Sequence, residues 1–284
     1  MATDHTTLIC ADALRTLLGS GRPVALIDTG FDLADVAAGE RAWREGHLPG
    51  SLYLHLDRDL SGPKTGRNGR HPLPARDVFA TTLGRCGVTP QTQLIAFDRQ
   101  GGVYASRLWW MLRWMGHSAV AVLDGGVAAW LAAGGTLVTE TSAPAAAPPY
   151  PERPAIGATI SADALAARLG KVRLIDARAA ERFRGDVEPL DITAGHIPGA
   201  SNRFFKDNLD AASGRFKPAE QLRAEFAPLL GAARATEVVH QCGSGVTACH
   251  NLLAMEHAGL PGSALYAGSW SEWCADPARP VARG

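Results

Sequence analysis

Cys242 has the surroundings of a built nucleophile. It lies in the run Gln241-Cys242-Gly243-Ser244-Gly245-Val246-Thr247. Residues 237 to 240 ahead of it are short, apolar and β-branched, as a buried strand requires. From 246 to 259, Val246, Cys249, Leu252 and Leu253 recur on one face of a helix. The pattern puts Cys242 in a strand-to-helix turn. Gly243 and Gly245 carry no Cβ, so the turn is free to curl and aim several backbone N–H groups at one point, where the field of the following helix also favours negative charge. Such a cradle favours the thiolate, the reactive form of cysteine. A working nucleophile must also be reachable, so a sulfur open to solvent is expected.

The other four cysteines, at 10, 86, 249 and 274, have no comparable company. Cys249 falls on the apolar helical stripe and reads as core. The five form an odd set with no CxxC pair and no paired histidines, so neither a disulfide framework nor a metal site is expected.

A chain of 284 residues predicts two domains. Its 28 basic and 28 acidic side chains balance and no basic block stands out, which argues against a nucleic-acid partner. No stretch reaches the ~18 uninterrupted apolar residues of a membrane span, and the N-terminal residues lack the pattern of a secretion signal. A cytoplasmic location is expected.

The chain also repeats itself. Val24-Ala25-Leu26-Ile27-Asp28 followed by His47-Leu48-Pro49-Gly50 matches Val172-Arg173-Leu174-Ile175-Asp176 followed by His196-Ile197-Pro198-Gly199. Further on, Gly102-Val103 through Gly125 to Trp130 aligns without a gap on Gly245-Val246 through Gly268 to Trp273. Residues 141–157, rich in Ala and Pro, predict an extended spacer between the copies rather than a packed element. The expected domains are 1–140 and 158–284. Short apolar strands alternate with helix-like segments in each, predicting two small α/β domains with parallel sheets flanked by helices. What recurs, including Asp28, Asp176, His47 and His196, reads as scaffold. What occurs once is the candidate chemistry. In that register Arg99 stands where Cys242 does, so the first copy is expected to be catalytically silent.

Tandem α/β copies with Cys242-Gly243-Ser244-Gly245-Val246-Thr247 in the second resemble the tandem-domain rhodanese superfamily, and most of all its 3-mercaptopyruvate sulfurtransferases. The resemblance implies two rhodanese-like domains in tandem. It also implies a sulfurtransferase in which the loop cysteine takes sulfur from a small donor as a persulfide and passes it to a thiol, such as that of thioredoxin, or to cyanide, with no cofactor. It further assigns Ser244, with His71 and Asp57, to helping pyruvate depart, and gives Gly243, Gly245, Val246 and Thr247 to the substrate cradle. Arg182 matches the arginine that binds the donor's carboxylate. One position departs: Glu188-Pro189-Leu190-Asp191 has leucine where a second such arginine is expected, which leaves Arg184 as a candidate replacement and the preferred donor open.

Thiosulfate is the alternative donor, although the loop lacks the basic residues that would balance a doubly negative molecule. Cysteine phosphatases need Cys-x5-Arg, and the sixth residue after Cys242 is Ala248. A binding scaffold without catalysis would suit the first copy but not the second, which keeps the thiol.

Overall fold

The computed structural model describes residues 4–141 and 143–284. Residues 1–3 of the first expected domain and Ser142 of the expected spacer lie outside the described residues. The chain folds as two units, each with its own five-stranded sheet. In the first, β1 (Leu8–Ile9), β2 (Val24–Asp28), β3 (Leu52–Tyr53), β4 (Gln93–Phe97) and β5 (Val120–Leu123) lie in the order β1-β5-β4-β2-β3. In the second, β6 (Ala158–Thr159), β7 (Arg173–Asp176), β8 (Ser201–Asn202), β9 (Val238–Gln241) and β10 (Ala264–Leu265) repeat it as β6-β10-β9-β7-β8.

Every pairing among these ten strands is parallel. That accounts for the central strands: β4, Gln-Leu-Ile-Ala-Phe, and β9, Val-Val-His-Gln, are buried along their whole length, as strands covered by helices on both faces must be. The first core joins Leu14, Ile95, Phe97, Leu123 and Trp130, and the second joins Leu165, Leu174, Val239, Tyr266, Trp270 and Trp273.

The scaffold role expected of the recurring histidines has a geometry. His47 Nδ1 bonds the Trp43 carbonyl at 2.8 Å and His196 Nδ1 bonds that of Phe183 at 2.8 Å, each ring stacked on the same residue it bonds. The two His-x-Pro-Gly turns are closed identically.

Two short segments make the division in space differ from the division in sequence. Gly62–Leu73 clusters with the second unit and Ala211–Phe216 with the first. Among its described residues the Pro/Ala-rich stretch has neither helix nor strand, as its prolines dictate, but it is strapped to the first unit rather than standing clear. Ala147, Tyr150 and Ile156 donate their N–H groups to the carbonyls of Gly84, Ala80 and Arg113, and the Tyr150 hydroxyl meets His117 Nδ1 at 2.9 Å. Gly84 lets the strap close, because a Cβ there would stand 2.6 Å from the Pro148 carbonyl. Among the described residues no helix is long and apolar enough to cross a membrane.

The recurring aspartates part company electrostatically. Asp176 is paired with Arg178 at 2.8 Å, whereas the matching position in the first copy is Gly30, which offers Asp28 only a backbone N–H. Asp28 Oδ2 is buried without a hydrogen bond. Burial pushes its pKa up to about 6 against the downward pulls of the Gly30 N–H and Arg99. A carboxyl raised in this way costs nothing while protonated in both folded and unfolded states, and costs stability as pH rises through about 6. Asp28→Asn should therefore raise the thermal midpoint at pH 8 by the equivalent of about 1–3 kcal/mol, a gain that shrinks to nothing near pH 4. A midpoint lowered at pH 8 but unchanged near pH 4 would show that ionised Asp28 stabilises the fold.

Candidate functional site

Cys242 follows the carboxyl end of β9, the central strand of its sheet. The helix after it runs Ala248–His257, starting two residues later than the apolar pattern suggested because residues 243–246 are spent on the turn. Gly245 makes that turn possible: its φ is +77°, and a Cβ would stand 2.2 Å from the Ala267 carbonyl. The sequence promised a ring of amides on the sulfur. Among the described residues one reaches it, the Gly245 N–H, at 3.1 Å from Sγ.

A second residue fixes the cysteine backbone. Ser269 has φ +53°, alone among the described non-glycine residues in lying on the positive side, a conformation worth about 1–3 kcal/mol of strain. Its hydroxyl donates to the Tyr266 carbonyl at 2.9 Å and accepts the Cys242 N–H at 3.1 Å. The repeat register sets Ser269 against Gly126, whose φ is also +53°. A serine in place of a left-handed glycine was thus a legible signal, missed at the sequence level.

Cys249, two turns along, is fully buried and donates to the Gly245 carbonyl, consistent with packing. Val246 is buried and Thr247 half-buried at the helix start, where they close the turn.

Ser244 is buried in the same loop, and its Oγ lies 2.8 Å from His71 Nδ1. His71 reaches it because Gly62–Leu73 is part of the second unit. The flanking Arg70 N–H donates to Ser271 Oγ at 3.0 Å, and Gly69, at φ +84°, passes so close to the Gly268 carbonyl that a Cβ would meet it at 2.7 Å. Asp57 belongs to the first unit, where its N–H donates to His55 Nδ1.

The expected open sulfur is not observed: Cys242 is 2 % exposed. Its backbone is pinned by Ser269 and by the bonds from Trp270 N–H and Ser271 N–H to the Cys242 and Gly243 carbonyls, which sink the residue below the loop surface. The cover differs on the Gly243 side. A Cβ at Gly243 would stand 2.8 Å from Arg70 Nη2 and 3.5 Å from Arg182 Nη1, so only the ends of flexible side chains lie over that part of the loop.

Arg182 is anchored by Glu188 at 2.6 Å and by Asp191 at 3.3 Å, while Asp191 also pairs with Arg70. Both carboxylates are almost fully buried, and burial lifts the Asp191 pKa above its ordinary range despite the opposing pull of Arg70. Leu190 is exposed and joins this network only through its backbone N–H, which donates to Glu188 Oε1 at 3.1 Å. Arg184 is an exposed partner of Asp186 at 2.7 Å and is not among the residues gathered around Gly243.

The first copy shows what the same loop does without a thiol. Asp98 occupies the position of Cys242, because Asp28 pairs with Phe97 as Asp176 pairs with Gln241, and its buried carboxylate accepts N–H groups from Gln100, Gly102, Tyr104 and Ala105 at 2.8 to 3.0 Å. The amide cradle there is filled by the protein's own anion. Arg99, expected at the cysteine's position, lies one residue beyond it because the first loop is a residue longer, and it turns away to the Ala42 and Gly46 carbonyls. In the second copy Cys242 stands where this carboxylate does.

The rhodanese-like domain family matches residues 11–133 and 161–276, one match for each sheet. A Pseudomonas aeruginosa protein named a "probable 3-mercaptopyruvate sulfurtransferase" is 47 % identical over 91 % of this chain and 92 % of its own length. The human 3-mercaptopyruvate sulfurtransferase is 36 % identical over 93 % of this chain and 89 % of its own. Among solved structures, the 3-mercaptopyruvate sulfurtransferase from Leishmania major superposes with a TM-score of 0.85 at 27 % identity, over 96 % of this chain and 75 % of that one. Two sheets of one strand order, a cysteine turn in only the second, and relatives aligned across both halves lead to one conclusion: the chain belongs to the rhodanese-like domain family and carries two of its domains in tandem.

Proposed function

We propose that the protein is a sulfurtransferase that takes sulfur from 3-mercaptopyruvate onto Cys242 and hands it to a second thiol or to cyanide. The observation that carries this reading is the Ser244–His71 hydrogen bond beside the Gly245-held sulfur, in a chain with a relative of that name at 47 % identity. The Cys242 thiolate attacks the donor's sulfur. An S–S bond forms, the C–S bond breaks, and its electron pair leaves as the pyruvate enolate. The Ser244 hydroxyl, backed by His71, gives the enolate its proton, and solvent restores the proton to the imidazole. The resemblance adds Asp57 as the carboxylate that orients that ring.

The persulfide left on Cys242 is then attacked at its outer sulfur by the acceptor, which returns the thiolate and makes the kinetics ping-pong. Thioredoxin, a smaller thiol or cyanide each satisfies that step, and a cytoplasmic setting suits a thiol kept reduced. The first copy, its cradle filled by Asp98, is assigned no turnover of its own.

Mass spectrometry after a stoichiometric pulse of 3-mercaptopyruvate without acceptor should find one added sulfur atom, on the peptide holding Cys242, and release of one equivalent of pyruvate. The value of kcat/KM should be larger for 3-mercaptopyruvate than for thiosulfate with a common acceptor. The reverse order would make thiosulfate the donor, and an unmodified Cys242 with both donors would leave a binding scaffold.

A further inference from the structure

We infer that Ser269 is a positioning residue for the Cys242 thiolate, held in a left-handed conformation so that its hydroxyl can grip the cysteine's peptide group. For the reaction it serves, the inference rests on the sulfur-transfer reading; its geometry and its alkylation test do not.

The turn by itself accounts for the backbone angle and not for the residue. Ser269 opens the short helix Ser269–Trp273 as Gly126 opens Gly126–Ala132, and both stand at φ +53°. Glycine takes that conformation freely and a residue with a Cβ does not, so a fold that needed only the turn would keep glycine in both copies. The first copy must keep it, because a Cβ on Gly126 would stand 2.1 Å from the Asp98 carbonyl oxygen. The second copy has room for a side chain at this point and carries a strained one. Strain retained beside a nucleophile points to a task for that side chain.

Its two bonds give the task. Ser269 Oγ donates to the Tyr266 carbonyl at 2.9 Å and accepts the Cys242 N–H at 3.1 Å. With its one proton given to Tyr266, the hydroxyl presents lone pairs to Cys242, and it does so fully buried. The other end of the cysteine is held by the Trp270 N–H on its carbonyl at 2.9 Å. The first copy has the counterpart of that second bond, from the Val127 N–H to the Asp98 carbonyl at 3.3 Å, but Gly126 has no hydroxyl to make the first.

Holding Cys242 at both its N–H and its carbonyl fixes the direction of its Cα–Cβ bond, and with it the place of Sγ. Among the described residues a single N–H, that of Gly245, reaches the sulfur. Where four N–H groups share the Asp98 carboxylate, a small rotation can be absorbed; at Cys242 the same rotation removes the one bond that favours the charged form. Ser269 therefore acts through the cysteine backbone rather than on the reacting atoms.

The test is the rate at which iodoacetamide alkylates Cys242 in the full-length protein, followed by mass spectrometry on the peptide that holds it. An S–C bond forms, iodide leaves, and no sulfur donor takes part. Ser269→Gly deletes the hydroxyl and relieves the strain, so its thermal midpoint should stay within about 2 °C of wild type, whereas Ser269→Ala keeps the strain and should melt lower. Both variants should alkylate about ten-fold more slowly at pH 7 and about as fast as wild type by pH 10, because a thiol that has lost its N–H partner ionises at higher pH. Their kcat/KM at pH 7 should fall about ten-fold with 3-mercaptopyruvate and with thiosulfate alike, since both donors meet the same sulfur. A Ser269→Gly protein that alkylates and turns over at the wild-type rate at pH 7 overturns the inference. A loss of equal size at pH 7 and pH 10 also overturns it, since that would be altered access to the sulfur. If alkylation depends on Ser269 as stated but neither donor adds sulfur to Cys242, the positioning role stands and the sulfur-transfer reading falls.

Discussion

Cys242→Ser should lose sulfur transfer from every donor, by at least about a thousand-fold. A serine oxygen is not ionised near neutral pH and cannot carry the transferred sulfur as a persulfide. No other group takes over: Cys249 is buried and bonded to the Gly245 carbonyl, and the first copy has Asp98 at this position. The fold should survive, because a hydroxyl can accept the Gly245 N–H that now reaches Sγ, and the Ser269 bond engages the backbone only. Activity should be measured as thiocyanate formed from cyanide, beside a thermal midpoint expected within about 2 °C of wild type. Residual turnover above a few per cent would move the chemistry to another residue.

His71→Asn should lower kcat with 3-mercaptopyruvate by about a hundred- to a thousand-fold while KM changes little, since proton delivery matters only as the enolate leaves. The 2.8 Å bond between His71 Nδ1 and Ser244 Oγ is the path for that proton. Ser244→Ala should cost about as much, and the double variant little more than either single one, because the two side chains act as a unit. Thiosulfate separates this role from general damage to the loop. Its leaving sulfite needs no proton, so transfer from thiosulfate should fall by less than about three-fold in both variants. Equal losses with the two donors would show that His71 holds the loop in shape and leaves the proton to another group.

The two predictions differ in how much the sequence already says. Cys242 is legible from one short window: an apolar run, two glycines and a helical stripe are local patterns, and local patterns fix local backbone. Repetition adds the division between scaffold and chemistry, but its ungapped register sets Arg99 against the thiol where strand pairing sets Asp98, since a one-residue difference in loop length shifts the alignment. The pairing of His71 with Ser244 came only from the resemblance, because no periodicity links residues so far apart in the chain. It exists because Gly62–Leu73 folds into the second unit, a placement settled by contacts such as Gly69 against Gly268.

What the sequence determined by itself was the duplicated parallel α/β framework and the turn that holds the candidate nucleophile, since strand and helix periods and turn glycines are written residue by residue. Only the tertiary structure decided what surrounds that nucleophile: Arg70 rather than Arg184 beside Gly243, one amide rather than several on Sγ, a buried rather than an open sulfur, and Asp98 sealing the first cradle. Each of these depends on a charge or a hydrogen-bonding atom meeting a partner brought close by the fold. Such a meeting is governed by distance in space, to which spacing along a chain is no guide.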